Sequence, residues 1–136
     1  MTKVTVTRRL HFSAAHRLHI PDLSDADNQR LFGLCDNPNY HGHNYEIEVS
    51  VSGDVDPQTG YVVDLGTIKQ IVESEVITLL DHKNLNLDVE QLRGVNPTAE
   101  NIVVVIWKLL EGKLPSDLTK IVLWETPRNY VEYTGD

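Results

Sequence analysis

In the stretch Cys35-Asp36-Asn37-Pro38-Asn39-Tyr40-His41-Gly42-His43-Asn44, a single glycine separates two imidazoles. If the segment is extended, side chains alternate faces, so His41 and His43 point the same way about two residue rises apart. Two rings at that spacing can take one ion, and Gly42 puts no side chain on the other face. His16, closing Phe12-Ser13-Ala14-Ala15-His16, is a third imidazole near the end of another expected strand. Three neutral imidazoles with one position left open make the ligand set of a catalytic zinc, whereas structural zinc sites are closed by four protein ligands. Cys35 is the single cysteine and lies six positions before His41. It admits three roles: a fourth ligand, a reactive thiol acting as a base, or a buried small hydrophobe.

Other acids and bases each carry an ordinary reading beside a functional one. Asp81-His82 follows an expected helix end. It is either an unremarkable helix terminus or a carboxylate that holds one imidazole nitrogen so the other can relay a proton. Glu125 alternates with Ile121 and Leu123 on an apolar strand face. It is either solvated at the strand end or, if buried, in need of a partner, and a ligand with two adjacent N–H donors would satisfy both its oxygens. His11 and His19 carry no ligand spacing and read as surface or loop residues.

The elements that must position these groups follow from periodicity. Residues 3–13 alternate, with Val4, Val6, Arg8, Leu10 and Phe12 on one face, and predict a strand that ends shortly before His16. Residues 17–39 are rich in Asp, Asn, Pro and Ser and read as a long irregular loop, a length that points to an active-site loop rather than a linker. Residues 45–53 alternate again, and Tyr45, Ile47, Val49 and Val51 share the face of His41 and His43. Asp64 is an N-cap for a helix over 65–80, with Leu65, Ile68, Val72, Val76 and Leu79 as its apolar stripe. Thr98 caps a second helix that ends at Gly112 and Pro115. Residues 118–125 and 129–133 predict the last two strands. The order ββααββ indicates an α+β fold: a four-stranded antiparallel sheet with two helices on one face, in a single domain over residues 1–136. Such a sheet has edges that an oligomer could pair.

Bulk composition narrows the partners. A net charge of −8 argues against a nucleic-acid or anionic-membrane surface, and confines any phosphate site to a local basic patch. No run approaches the ~18 apolar residues of a membrane span. A lone cysteine, and alternation that starts at once with no signal peptide, fit a cytoplasmic protein.

Five segments in order resemble the 6-pyruvoyl-tetrahydropterin synthase family, which also includes the 6-carboxy-tetrahydropterin synthases. They are Phe12-Ser13-Ala14-Ala15-His16, Cys35 through His41-Gly42-His43-Asn44, Leu80-Asp81-His82-Lys83-Asn84-Leu85, Pro97-Thr98-Ala99-Glu100-Asn101 and Trp124-Glu125-Thr126. The resemblance implies the tunnelling fold (T-fold), in which trimers close their sheets into a barrel and two trimers stack as a homohexamer. It implies Zn2+ on His16, His41 and His43, proton transfer by Cys35, Asp81 and His82, and a pterin held by Glu125 with help from Thr98. The implied reaction is that of a lyase of tetrahydrobiopterin biosynthesis, converting 7,8-dihydroneopterin triphosphate to 6-pyruvoyl-tetrahydropterin and triphosphate. Lys83, Arg17 and Arg128 are the basic residues nearest these motifs that could meet the triphosphate.

Two alternatives stand beside it. One is the carboxy-forming synthase of queuosine biosynthesis, which releases acetaldehyde as well as triphosphate; the other is a non-catalytic zinc- and pterin-binding protein. The spacing from Cys35 to His41 is similar to that of the pyruvoyl-forming branch, and the joint presence of Cys35, Asp81, His82 and Glu125 favours an enzyme.

Overall fold

A computed structural model describes residues 2–136. Its backbone is a hairpin-like pair of long strands, β1 (Lys3–His16) and β2 (His41–Asp54). They run antiparallel in one unbroken register, from Lys3 opposite Asp54 to His16 opposite His41. Both strands continue past the alternation visible in the sequence, so His16, His41 and His43 are strand residues rather than neighbours of strands.

β4 (Asp117–Thr126) pairs antiparallel with β2, and β5 (Asn129–Tyr133) antiparallel with β4. The sheet nevertheless departs from the expected four antiparallel strands. A two-residue strand, β3 (Lys83–Asn84), pairs in parallel with β1 at Ala14 and Ala15, which makes a mixed five-stranded sheet of order β3-β1-β2-β4-β5. Two residues are too few to alternate, so no periodicity announces this strand.

The helices lie on the expected face. α2 (Leu65–Val72) continues through a π-turn (Glu73–Ile77) into α3 (Thr78–Leu80), and α4 (Ala99–Leu110) packs beside it. Asp64 caps α2 by accepting from the Gly66 amide, and Thr98 caps α4 by accepting from the Asn101 amide. Ile68, Val72, Val76, Leu80, Ile102 and Ile106 form one core with Phe12, Tyr45, Ile47, Val49, Ile121 and Leu123 of the sheet. The histidines extend that inward row beyond Phe12 and Tyr45 at one end of β1 and β2. The opposite sheet face is polar, with Arg9 bonded to Glu46 and the Trp124 indole donating to Glu48.

The long stretch between β1 and β2 is more ordered than an irregular loop. It contains α1 (Asp25–Phe32), capped by Ser24, and a tight 3₁₀ turn (Gly33–Asp36) that carries Cys35. Two aspartates in the first turn favour the helix N-terminus, while mixed polarity hides the helical period. Fully buried Asn28 anchors the segment. Its side-chain oxygen accepts from the Ile20 amide at 2.7 Å, and its amide nitrogen donates to the Ile20, Leu23 and Ser24 carbonyls. Replacing it removes the side-chain partner of the part-buried Ile20 amide and Leu23 carbonyl, while the Ile20 and Ser24 carbonyls keep main-chain donors. Asn28→Ala is therefore expected to lower the urea-unfolding free energy by about 1–3 kcal/mol and to speed proteolysis within residues 20–32. Unchanged proteolysis would mean that this side chain does not hold the segment.

Candidate functional site

The β1–β2 register faces His16 against His41 and sets His43 beside Ala14. Because side chains alternate, all three imidazoles project to the core side, and their available ligand atoms lie within 4.8 Å of one another. The rings stand nearly edge-on, with centroids 4.6, 5.1 and 4.9 Å apart. A tetrahedral zinc with bonds of about 2.0–2.1 Å needs ligand atoms roughly 3.3 Å apart, a spacing between the 3.0 Å from His16 Nε2 to His41 Nε2 and the 4.8 Å limit of the group.

Hydrogen bonding decides which nitrogens are free. His16 is fully buried and donates from Nδ1 to the Pro97 carbonyl at 2.8 Å. This fixes its tautomer and leaves Nε2 a bare lone pair, 3.0 Å from Nε2 of His41. Among the described residues, buried His41 Nδ1 and His43 Nε2 have no hydrogen-bond partner. Burial pushes His16 down from its ordinary 6.5 to about 4, with nearby His41 and His43 acting in the same direction against the Pro97 bond. Burial and His43 also lower His41. Converging, partly unpartnered imidazoles, two of them biased toward the neutral form by burial, fit a divalent metal ion.

The other expected residues fall into two groups. Cys35 and Glu125 lie on the histidine side of the molecule. Glu125 is half-buried on β4, with Oε1 3.9 Å from His43 Nε2. Burial raises the half-buried Cys35 thiol above its ordinary value, and the Glu125 charge raises it further. Tyr45, beneath the histidines, has its phenol pushed up by burial. Thr98 borders a cavity of about 290 Å³ with Glu125, Leu18, Asn129 and Tyr130, and its hydroxyl accepts from Asn101 at 3.2 Å.

Asp81 and His82 pair with each other away from that cavity, at the β1 edge. Asp81 Oδ1 accepts from the Ser13 amide at 2.9 Å, its Oδ2 meets His82 Nδ1 at 2.9 Å, and the His82 amide donates to the Ser13 carbonyl at 2.6 Å. The Ser13 amide is the main reason the Asp81 carboxyl lies below its ordinary value. His82 has a left-handed backbone (φ 60°), unfavourable for a residue with a Cβ, and its side chain is 83 % exposed. Among the described residues no hydrogen bond joins it to Cys35.

Some site features had no sequence signal. The Pro97 carbonyl is a main-chain group, and no side-chain pattern marks it. His19, read as an ordinary loop residue, is part-buried with Nδ1 2.6 Å from Asp36. Arg17 also reaches Asp36, at 3.3 Å, so a basic residue considered for triphosphate is already engaged.

The model of the 6-pyruvoyl tetrahydropterin synthase family matches residues 5–136. The chain belongs to this family. It is 47% identical over 132 residues to a Homo sapiens 6-pyruvoyl tetrahydrobiopterin synthase, covering 96% of this chain and 91% of that one. It is 33% identical over 125 residues to a dihydroneopterin monophosphate aldolase of Pyrococcus furiosus, covering 90% of each. The solved Caenorhabditis elegans 6-pyruvoyl tetrahydropterin synthase superposes with a TM-score of 0.93 at 42% identity, covering 100% of this chain and 98% of that one. The family's architecture is the T-fold expected from the motifs, here with the short parallel β3 added at the sheet edge.

The depressed His16 value sets a pH dependence for the metal-free protein. The unfolded chain takes up the imidazole proton near 6.5, whereas the folded chain resists it until about 4. The contribution is therefore fully present above pH 6.5 and is lost as the pH falls toward 4. Chelator-treated protein should unfold at lower urea at pH 5 than at pH 7, by at most about 2 kcal/mol from this group. Equal midpoints would contradict a buried neutral His16.

Proposed function

We propose that the chain is a zinc-dependent lyase that converts 7,8-dihydroneopterin triphosphate to 6-pyruvoyl-tetrahydropterin and releases triphosphate. The observation that carries this reading is the convergence of His16, His41 and His43 beside Cys35 and Glu125 in a chain of this family. The donor set supports zinc, since three neutral imidazoles leave a position for substrate. When bound, the ion supplies Lewis acidity at the side-chain hydroxyls and acidifies the neighbouring C–H bonds.

The chain's own residues bind the substrate and move the protons. The Glu125 carboxylate accepts from the pterin 2-amino group and the adjacent ring N–H, which sets which end of the ring points toward the histidines. Thr98 borders the same cavity and helps hold the pterin. Cys35 as thiolate removes a carbon-bound proton; its raised value in the metal-free chain means that the thiolate depends on positive charge nearby. Asp81 holds His82 Nδ1, leaving Nε2 to exchange the companion proton with substrate. Oxidation of the side chain is balanced by reduction of the ring, and triphosphate leaves with its bonding electron pair, so no redox cofactor takes part.

The family's homohexamer, a dimer of trimers, belongs to this proposal. The exposed position of His82 supports it, because an edge of one copy can present that imidazole to the cavity of another. A cytoplasmic location is consistent with the lone free cysteine, and among the described residues no helix is long and apolar enough to cross a membrane. The Cys35–His41 spacing and the similarity to 6-pyruvoyl tetrahydrobiopterin synthases support the pyruvoyl-forming reaction over the carboxy-forming one.

Mass spectrometry of the product formed by zinc-loaded protein from dihydroneopterin triphosphate tests the proposal. A retained three-carbon side chain with triphosphate released is expected. A carboxy side chain with acetaldehyde, or no turnover by folded zinc-loaded protein, would contradict it. Cys35→Ala should keep zinc and fold while turnover drops about 10²–10⁴-fold, the usual worth of a general base. Unchanged turnover would remove Cys35 from the mechanism.

A further inference from the structure

Where the chain leaves β1 after His16, three residues without ladder partners gather the loops around the site. The Arg17 amide donates to the Asn86 side-chain oxygen at 2.8 Å, and the Asn86 amide nitrogen donates back to the Arg17 carbonyl at 2.9 Å. The Leu18 amide donates to the Cys35 carbonyl at 2.8 Å, and the His19 amide to the Asn96 side-chain oxygen at 3.1 Å. The side chains of Arg17 and His19 then converge on one acid. Arg17 Nη2 lies 3.3 Å and His19 Nδ1 2.6 Å from Asp36 Oδ1, while Arg17 Nε donates to the Asp36 carbonyl at 2.8 Å.

Asp36 is the residue after Cys35, and its side chain is 8% exposed. A carboxylate so far out of water is tolerated only with charged or N–H partners, and here both come from the segment next to His16. The turn has little else to hold it. Among the described residues its other hydrogen bonds are local, such as those from the Asn37 amide to Leu34, from the Asn39 amide to the Asn37 side chain, from the Tyr40 amide to Asn37, and from Gly33 to Gln29, and Leu34 is 90% exposed. The Leu18–Cys35 main-chain bond alone leaves the turn free to pivot; the Asp36 clasp supplies further points of attachment.

We propose that Asp36, gripped by Arg17 and His19, is a positioning residue that sets the Cys35 thiol relative to His16 and Glu125. The inference rests on the proton-transfer reading of Cys35 and deepens it. A nucleophile or base on a loosened turn samples many geometries, and a misplacement of about 1 Å far from the reacting atoms can cost roughly 10²-fold in rate. Because the clasp is built on the strand end rather than on substrate, its loss acts on turnover more than on binding.

The test uses full-length zinc-loaded protein carrying Asp36→Ala, with Arg17→Lys as a second variant that keeps the charge but not the two-pronged contact. Both are expected to retain stoichiometric zinc and to lower kcat about 10- to 100-fold with KM within about twofold. The rate of Cys35 alkylation by iodoacetamide at fixed pH should also change at least severalfold in both, a readout that needs no substrate. Wild-type kcat and alkylation rate in either folded variant would overturn the proposal. So would a kcat loss that tracks zinc loss with alkylation unchanged. Should Asp36→Ala fail to fold, Arg17→Lys decides alone by the same criteria. Cys35→Ala assayed in parallel separates the two claims: if it keeps full turnover, the catalytic reading of Cys35 fails, while the alkylation rates still report whether Asp36 fixes the turn.

Discussion

The antiparallel register between β1 and β2 is the constraint on which the site depends. It runs without a bulge from Lys3–Asp54 to His16–His41, so alternation alone carries the core row of Phe12 and Tyr45 onward into Ala14, His43, His16 and His41. A slip of one residue would send every one of these side chains to the polar face. The apolar pairs that hold this register, Leu10 opposite Ile47 and Phe12 opposite Tyr45, packed under the helices, therefore also align the three histidines. The core and the site are one row of side chains with a change of chemistry at its end.

The second constraint is electrostatic. Burial favours the neutral form of His16 and His41, Tyr45 beneath them is held protonated, and a thiol is pushed up beside a carboxylate. Each of these shifts disfavours charge, with burial as the leading cause. A cation among the histidines reverses the balance for the thiol and the carboxylate alike, since it favours thiolate and offsets the negative charge of Glu125. The Pro97 carbonyl matters here because it orients His16 Nε2 toward the other rings without adding charge. It sits immediately before Thr98, so the cap of α4 and the tautomer of His16 share one turn.

Much of this was legible in the sequence, and the reasons it was legible are specific. His41 and His43 with a glycine between them announce a shared face, and the strand alternation after them tells which face. The caps Asp64 and Thr98 mark helix starts because they are residues that satisfy free amides. What escaped was carried by main chain or by single contacts. The β3 strand has two residues and no period. α1 has one apolar-poor turn after another, and its anchor Asn28 works by bonding carbonyls. Asp36 and His19 meet only because the segment after His16 folds back on the Cys35 turn, a contact between loops with no repeat to read. The place of Asp81 and His82 at the β1 edge was likewise invisible, since motif order says nothing of which sheet edge a residue occupies.

If His16, His41 and His43 hold zinc in a site open to substrate, Cys35 is left free to act as a base. X-ray absorption at the zinc edge of the loaded, substrate-free protein reads this directly. Nitrogen ligands from imidazole and one light oxygen ligand from solvent at about 2.0–2.1 Å are expected, with imidazole scattering and no sulfur shell. A sulfur shell at about 2.3 Å would put Cys35 on the metal, closing the site and contradicting the proposed division of labour.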